Sequence, residues 1–196
     1  SNWDYAAYGN SVYVLIDIKN NITLVTEDLS SWTIGAFPAN FLIRKPSGST
    51  NNFIPNPYDF YFINGFFFCV SLYGDTVIRS SDGISWTPIN GIACWPYEVG
   101  QGTSFDSSLV FPTTSAYLRS IDNGLTWTKT ALKPNNSFDY AWYSCAAGDG
   151  KIVLVANGGY EGNVNSSTAV TTDFVNWSYG RMPTRNGWSY TVYHPV

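Results

Sequence analysis

Four aspartates recur in one setting. Asp28 lies in TEDLSSW (26–32), Asp82 in SSDGISW (80–86), Asp122 in SIDNGLTW (120–127) and Asp173 in TTDFVNW (171–177). Each follows a Ser or Thr by two residues and precedes a tryptophan by four or five: Trp32, Trp86, Trp127 and Trp177. Two chemistries are open to such a carboxylate. It can accept hydrogen bonds from the amides of its own turn, with the Ser or Thr tying the turn from the other side. It can also ligate calcium, but calcium needs oxygen ligands spaced more densely than these segments supply. The expectation is therefore structural: no metal, each aspartate in a turn, and each tryptophan largely buried over apolar surface.

Little else in the chain could run a reaction. His194 is the only histidine, so neither a Ser–His–Asp set nor a zinc centre can be assembled. The ten acids outside the four motifs are dispersed, and no local pair has the spacing that glycoside hydrolysis asks of two carboxylates. Cys69, Cys94 and Cys145 are odd in number and show no CxxC spacing. Cys69 and Cys145 stand in strand-like apolar runs, so buried free thiols are expected, with a single disulfide as the alternative. No catalytic residue and no cofactor are nominated.

The elements that must position these residues are strands. Charged residues are 12% of the 196, about half the usual share, while aromatics reach 17%. Glu, Gln, Lys, Arg and Met together number only 15, which leaves little helix-forming material. The net charge is −4 and the bases are scattered, so nucleic-acid binding is not expected. No apolar run approaches the ~20 residues of a membrane helix, and membrane insertion is not expected.

The Asp-to-Asp spacings of 54, 40 and 51 define a repeat. Ahead of each motif comes a hairpin pattern, around Gly9-Asn10, Asn64-Gly65, Asp106-Ser107 and Asp149-Gly150. Each repeat then holds four strands, the third ending at the Asp motif and the fourth starting after the Trp. Four strands per 40–50 residues predict an all-β chain, a β-propeller of about four antiparallel blades. A β-sandwich is the alternative topology. One propeller domain over 1–196 is expected, with repeats at about 3–37, 58–90, 102–133 and 138–181. The segment 187–194 repeats the W-x-Y-x-x-Y pattern of residues 3–8 and reads as an extra inner strand. An unpaired strand needs partners, so the chain is expected to be part of a longer protein, with strand exchange in a homo-oligomer as the alternative.

The motif resembles the Asp-box, or bacterial neuraminidase repeat, S-x-D-x-G-x-T-W. Residues 120–127 match every fixed position; the other three are one residue shorter, and of these only 80–86 keeps a glycine, Gly83. With the upstream Y-G-N-x-V-Y-V element (8–14), the shortened form looks like repeats of bacteriophage tail proteins and bacterial surface proteins. The resemblance spans residues 5–178. It implies a sialidase-like propeller whose boxes lie on the outer part of each blade, away from an active site. A sialidase would also need three arginines clamping a carboxylate, a Tyr–Glu pair and an acid. Arg44, in IRKP (43–46), matches the family's F-R-I-P motif only faintly and follows the first box. Arg79 and Arg119 fall on third strands, in the scaffold, which leaves too few arginines.

In an up-and-down blade, the hairpins and boxes share one end. The opposite end receives the long connections 37–58, 90–102, 133–139 and 181–187 and the loop 157–167. Long ordered loops often carry function. Arg44, Trp95, Tyr97, Tyr160 and Arg181 fall there, and exposed rings beside hydrogen-bond donors suit sugars. They are the candidate ligand-binding residues. The expected function is a non-catalytic module binding a cell-surface glycan or receptor, in a phage tail (virion) or on a bacterial surface. A sialidase-like glycoside hydrolase and a structural spacer in a fibre are the alternatives.

Overall fold

The computed structural model describes residues 3–17, 20–38, 57–71, 77–89, 100–132, 141–157 and 167–181. They form sixteen strands in four antiparallel four-stranded sheets, each a meander in chain order. The first blade is β1 (Tyr5–Gly9), β2 (Val12–Asp17), β3 (Ile22–Thr26) and β4 (Thr33–Ala36). The second is β5 (Pro57–Ile63), β6 (Phe66–Ser71), β7 (Val77–Ser80) and β8 (Thr87–Ile89). The third is β9 (Thr103–Phe105), β10 (Ser108–Thr113), β11 (Ala116–Ser120) and β12 (Thr128–Ala131). The fourth is β13 (Ala141–Gly148), β14 (Lys151–Asn157), β15 (Ser167–Thr171) and β16 (Ser178–Arg181). This is an all-β architecture of four β-propeller blades, rather than the two packed sheets of a sandwich. The chain divides into two compact units, Ser1–Tyr97 and Glu98–Val196, each holding two blades. The segment 187–194, expected as an extra strand, lies outside the described residues.

Each blade opens with a two-residue hairpin whose central residues both have positive φ, the backbone that matches strand twist. The pairs are Asn10-Ser11 (48° and 64°), Asn64-Gly65 (51° and 82°), Asp106-Ser107 (47° and 56°) and Asp149-Gly150 (51° and 69°). The first turn sits one residue later than the sequence suggested, because Gly9 pairs with Val12 inside the sheet. Gly9 is needed for space. A methyl group in place of its hydrogen would lie 2.2 Å from the Phe62 ring of the second blade.

In each unit a core of described residues lies between the two sheets. In the first unit Val14, Ile16, Val25, Phe37, Phe60, Phe67, Cys69, Ile78 and Trp86 are buried together. Phe67 is fully buried and stacks on Phe60 at 6.1 Å, and burying such a ring contributes about 3 kcal/mol. In the second unit Val110, Tyr117, Trp142, Cys145, Ile152, Leu154 and Phe174 do the same work. There the inner edges of the two blades are also joined by backbone. The Gln101 amide donates to the Tyr143 carbonyl at 3.0 Å, and the Cys145 amide to the Gln101 carbonyl at 3.2 Å. Cys69 and Cys145 are buried free thiols; Cys94 lies outside the described residues. Burial pushes the Cys145 thiol well above its ordinary value, so it is no nucleophile.

Candidate functional site

All four aspartates lie between the third and fourth strands of their blades, and their turns share one hydrogen-bond scheme. The preceding hydroxyl (Thr26, Ser80, Ser120 or Thr171) donates to the aspartate Oδ1 at 2.7–3.2 Å. The hydroxyl oxygen itself accepts an amide further along: Leu29 at 2.9 Å, Gly83 at 2.8 Å, Phe174 at 3.0 Å, and Gly124 at 2.7 Å in the longer turn. Oδ1 then accepts two amides in each short turn, Ser30 and Ser31, Ile84 and Ser85, or Val175 and Asn176, all at 2.8–2.9 Å. In the longer turn Thr126 donates both its amide, at 2.9 Å, and its hydroxyl, at 2.5 Å. Donors aimed at a carboxylate favour its charged form. The Ser31 amide, with Ser30, holds Asp28 well below the ordinary range. The Asn176 amide does so for Asp173, and the Thr126 hydroxyl and amide bring Asp122 down to about 2. At Asp82 partial burial is the strongest single influence and pushes upward, but the Ser85 and Ile84 amides, the Ser80 hydroxyl and its own amide together lower the group.

The residue after each short-turn aspartate takes the left-handed conformation: Leu29 at φ 60°, Gly83 at 75° and Phe174 at 61°. In each unit this residue locks the later blade onto the earlier one. Thr23 of β3 donates to the Gly83 carbonyl at 2.7 Å, and Tyr117 of β11 donates to the Phe174 carbonyl at 3.4 Å. Thr23 and Tyr117 each stand three residues before the box hydroxyl of their own blade, a signal the sequence reading missed. Phe174 is 9% exposed and packs on Phe105 and Tyr117, with the Arg119 guanidinium 4.0 Å above its ring. Arg79 likewise stands 4.7 Å over Phe66. Asn10, also missed, donates from Nδ2 to the Gly65 and Ser81 carbonyls at 2.8 and 2.9 Å, pinning the first hairpin to the second blade.

The tryptophans depart from expectation. Of the four motif tryptophans only Trp86 is buried, at 9% exposure, against Phe37 at 5.0 Å and Phe60 at 6.2 Å. Trp127 and Trp177 are half-buried, and Trp32 is 41% exposed. The rings beside each tryptophan differ. Trp86 and Trp177 belong to the second blade of their units and pack on aromatic residues that precede that blade, Phe37 for one and Tyr117 for the other. Trp32 belongs to a first blade and has no earlier sheet in its unit. Trp127, also on a first blade, stacks instead on Phe111 of its own sheet at 4.9 Å.

Between the boxes of each unit runs a groove of about 400 Å³. The first is lined by Asn10, Thr26, Asp28, Ser31, Ser81 and Asp82. The second includes Arg119, Thr126, Thr128 and Asp173. Among the described residues no cluster of His, Cys, Asp or Glu could hold a metal ion. Of the ligand-binding candidates, Arg44, Trp95, Tyr97 and Tyr160 lie outside the described residues. Arg181 is not in a connecting loop, as expected, but is the last residue of β16, paired with Ser167. Its register with Ser167 extends the β15–β16 ladder by one pair, at the end of the blade opposite the box.

No protein-family model matches this chain, and no curated protein matches it in sequence. Solved structures do. A streptogramin B lyase is 15% identical over 88% of this chain and 52% of its own, with a TM-score of 0.60. YCF48 from Cyanidioschyzon merolae is 14% identical over 92% of this chain and 55% of its own, with a TM-score of 0.53. The extracellular domain of the two component system BT4673 from B. thetaiotaomicron is 15% identical over 92% and 22%, with a TM-score of 0.55. These are β-propeller proteins, and at such identity the likeness shows the fold alone. The chain spans about half the length of the lyase it matches. Among the described residues no helix is long and apolar enough to cross a membrane.

Proposed function

We propose that this chain is a non-catalytic recognition module that binds a cell-surface glycan or receptor, in a phage tail fibre or on a bacterial surface. The observation that carries this reading is how each blade uses its two ends. At the box end the hairpins are two residues long, and each aspartate is committed to the donors of its own turn. An aspartate held below the ordinary range stays ionised at neutral pH and has no proton to lend as a general acid. At the opposite end β4, β8 and β14 lead into the connections whose sequences contain Arg44, Trp95, Tyr97 and Tyr160, and Arg181 is the last residue of β16. Indole and phenol rings offer flat apolar faces to sugar C–H groups, while the guanidinium groups supply donors for hydroxyls.

Binding to a glycan array and to intact bacterial cells tests the reading. Alanine at Trp95 and Tyr97 is expected to abolish binding with melting nearly unchanged. Equal loss of binding and stability would make these rings core instead. Sugar released from sialosides or capsule by the wild-type chain would replace the binding reading with a hydrolase.

A further inference from the structure

The seat that the first blade provides for the second is defined by four residues. Gly83, at the left-handed position of its box, lies against Val14 and Val25. A methyl group in place of its hydrogen would come within 2.4 Å of Val14 Cγ2 and 3.0 Å of Val25 Cγ2. Thr23 donates to the Gly83 carbonyl. Gly35, paired with Thr23 across β3 and β4, makes room for the backbone of Ile84, which a methyl group there would meet at 2.7 Å. Val14 and Thr23 are fully buried, Val25 is 6% exposed, and Gly35 is buried.

The fourth blade repeats this seat residue for residue. Val153 pairs with Val170 as Val14 pairs with Val25, and Thr168 pairs with Gly180 as Thr23 pairs with Gly35. A methyl group at Gly180 would meet Thr168 Oγ1 at 2.6 Å; at Gly35 the corresponding distance to Thr23 Oγ1 is 2.5 Å. The other two blades differ. Phe68, Val77, Arg79 and Ile89 hold these positions in the second, and Val110, Tyr117, Arg119 and Thr130 in the third. The third blade receives Phe174 rather than glycine, so seat and box are matched in kind. Yet the seat on the fourth blade is uncovered: Val153, Thr168 and Val170 are only half-buried, and Gly180 is exposed.

We propose that Val153, Thr168, Val170 and Gly180 form a docking socket for an Asp-box turn with glycine directly after its aspartate, carried by a propeller blade other than these four. None of the chain's own turns answers that description and is available. Gly83 is already seated on the first blade. The first box has Leu29 at the left-handed position, where the two valines leave room for a hydrogen. The third has Asn123, not glycine, at the left-handed position after its aspartate.

The test uses the full chain, labelled for amide NMR, and a disulfide-closed hairpin peptide carrying SSDGISW as the probe. Saturable shifts are expected at the Thr168, Val170 and Gly180 amides. A peptide with leucine in place of the glycine should bind at least ~10-fold more weakly, because overpacking carries that order of penalty. Gly180→Ala should abolish binding and leave Tm within about 1 °C, whereas Gly35→Ala should lower Tm by about 5 °C, since only its seat is filled. A fall in Tm for Gly180→Ala equal to that for Gly35→Ala would show the socket already occupied by the chain itself and overturn the proposal. Absence of saturable shifts, or shifts indifferent to the glycine, would overturn it too. So would self-association of the unaided chain that protects the same amides, which would make the occupant a second copy.

Discussion

At the scale of single residues, the four aspartates are the most constrained groups described, and each is held by its own turn. Their lowered pKa values set a pH dependence. A carboxylate whose folded pKa lies below its ordinary 3.8 stabilises the fold fully above that value, and loses the contribution as pH falls through the folded value. Stability is therefore expected to be flat from pH 7 to about 5 and to decline between about pH 4 and 2, as followed by urea unfolding. An Asp122→Asn chain should show a shallower decline, and a wild-type curve without one would contradict the hydrogen-bond scheme. The left-handed residues give a second expectation. Leu29 sits at φ 60° and is 61% exposed, so it bears the steric cost of that backbone with little burial in return. Leu29→Gly is expected to stabilise by about 0.5 kcal/mol, the relief of strain less the entropy glycine adds to the unfolded chain. Gly83→Ala should destabilise by about 2 kcal/mol, since its methyl group meets Val14. Asp, Ser or Thr and Trp were legible in sequence because each turn needs those types. That Leu29 and Phe174 would take the left-handed backbone that Gly83 takes was not, because conformation there does not follow from residue type.

Elements set the value of each tryptophan. The same side chain at the same place in the repeat is buried in one blade, half-buried in two and exposed in another, and the rings beside it differ accordingly. Trp86→Ala is expected to cost about 3–5 kcal/mol, as for other buried aromatics, whereas Trp32→Ala should cost under about 1 kcal/mol. Trp127, half-buried and stacked on Phe111, falls between them, at about 2 kcal/mol. Chemical denaturation of the three variants checks the order, and equal losses would contradict it. Strand count and hairpin positions could be read from sequence because alternation and Asn-Gly or Asp-Gly turns are local signals. Gly9 misled because its role is not local: it makes room for Phe62, 53 residues away. Thr23 with Gly35, and Thr168 with Gly180, were invisible for the same reason. A threonine and a glycine twelve residues apart gain meaning only when strand register sets them side by side.

At the scale of the molecule, the hydrogen-bonded turns lie at one end of each blade, and the proposed recognition belongs to the other. The box end was largely legible in the sequence. The recognition end was legible only as composition, because loop conformation does not follow from residue type, and four of its five candidates lie outside the described residues. Arg181 shows how such readings err: it continues a strand where a loop was expected, since Ser167 stands opposite to pair with it. The most direct measurement is a glycan-array profile of the native chain beside the Trp95→Ala/Tyr97→Ala and Asp82→Asn chains, with the melting temperature of each. The expected result is a defined set of bound glycans that the double variant loses at unchanged Tm, and that Asp82→Asn keeps at lowered Tm. Glycan binding lost with Asp82→Asn at unchanged Tm, and kept by the double variant, would put the site at the boxes and contradict the account.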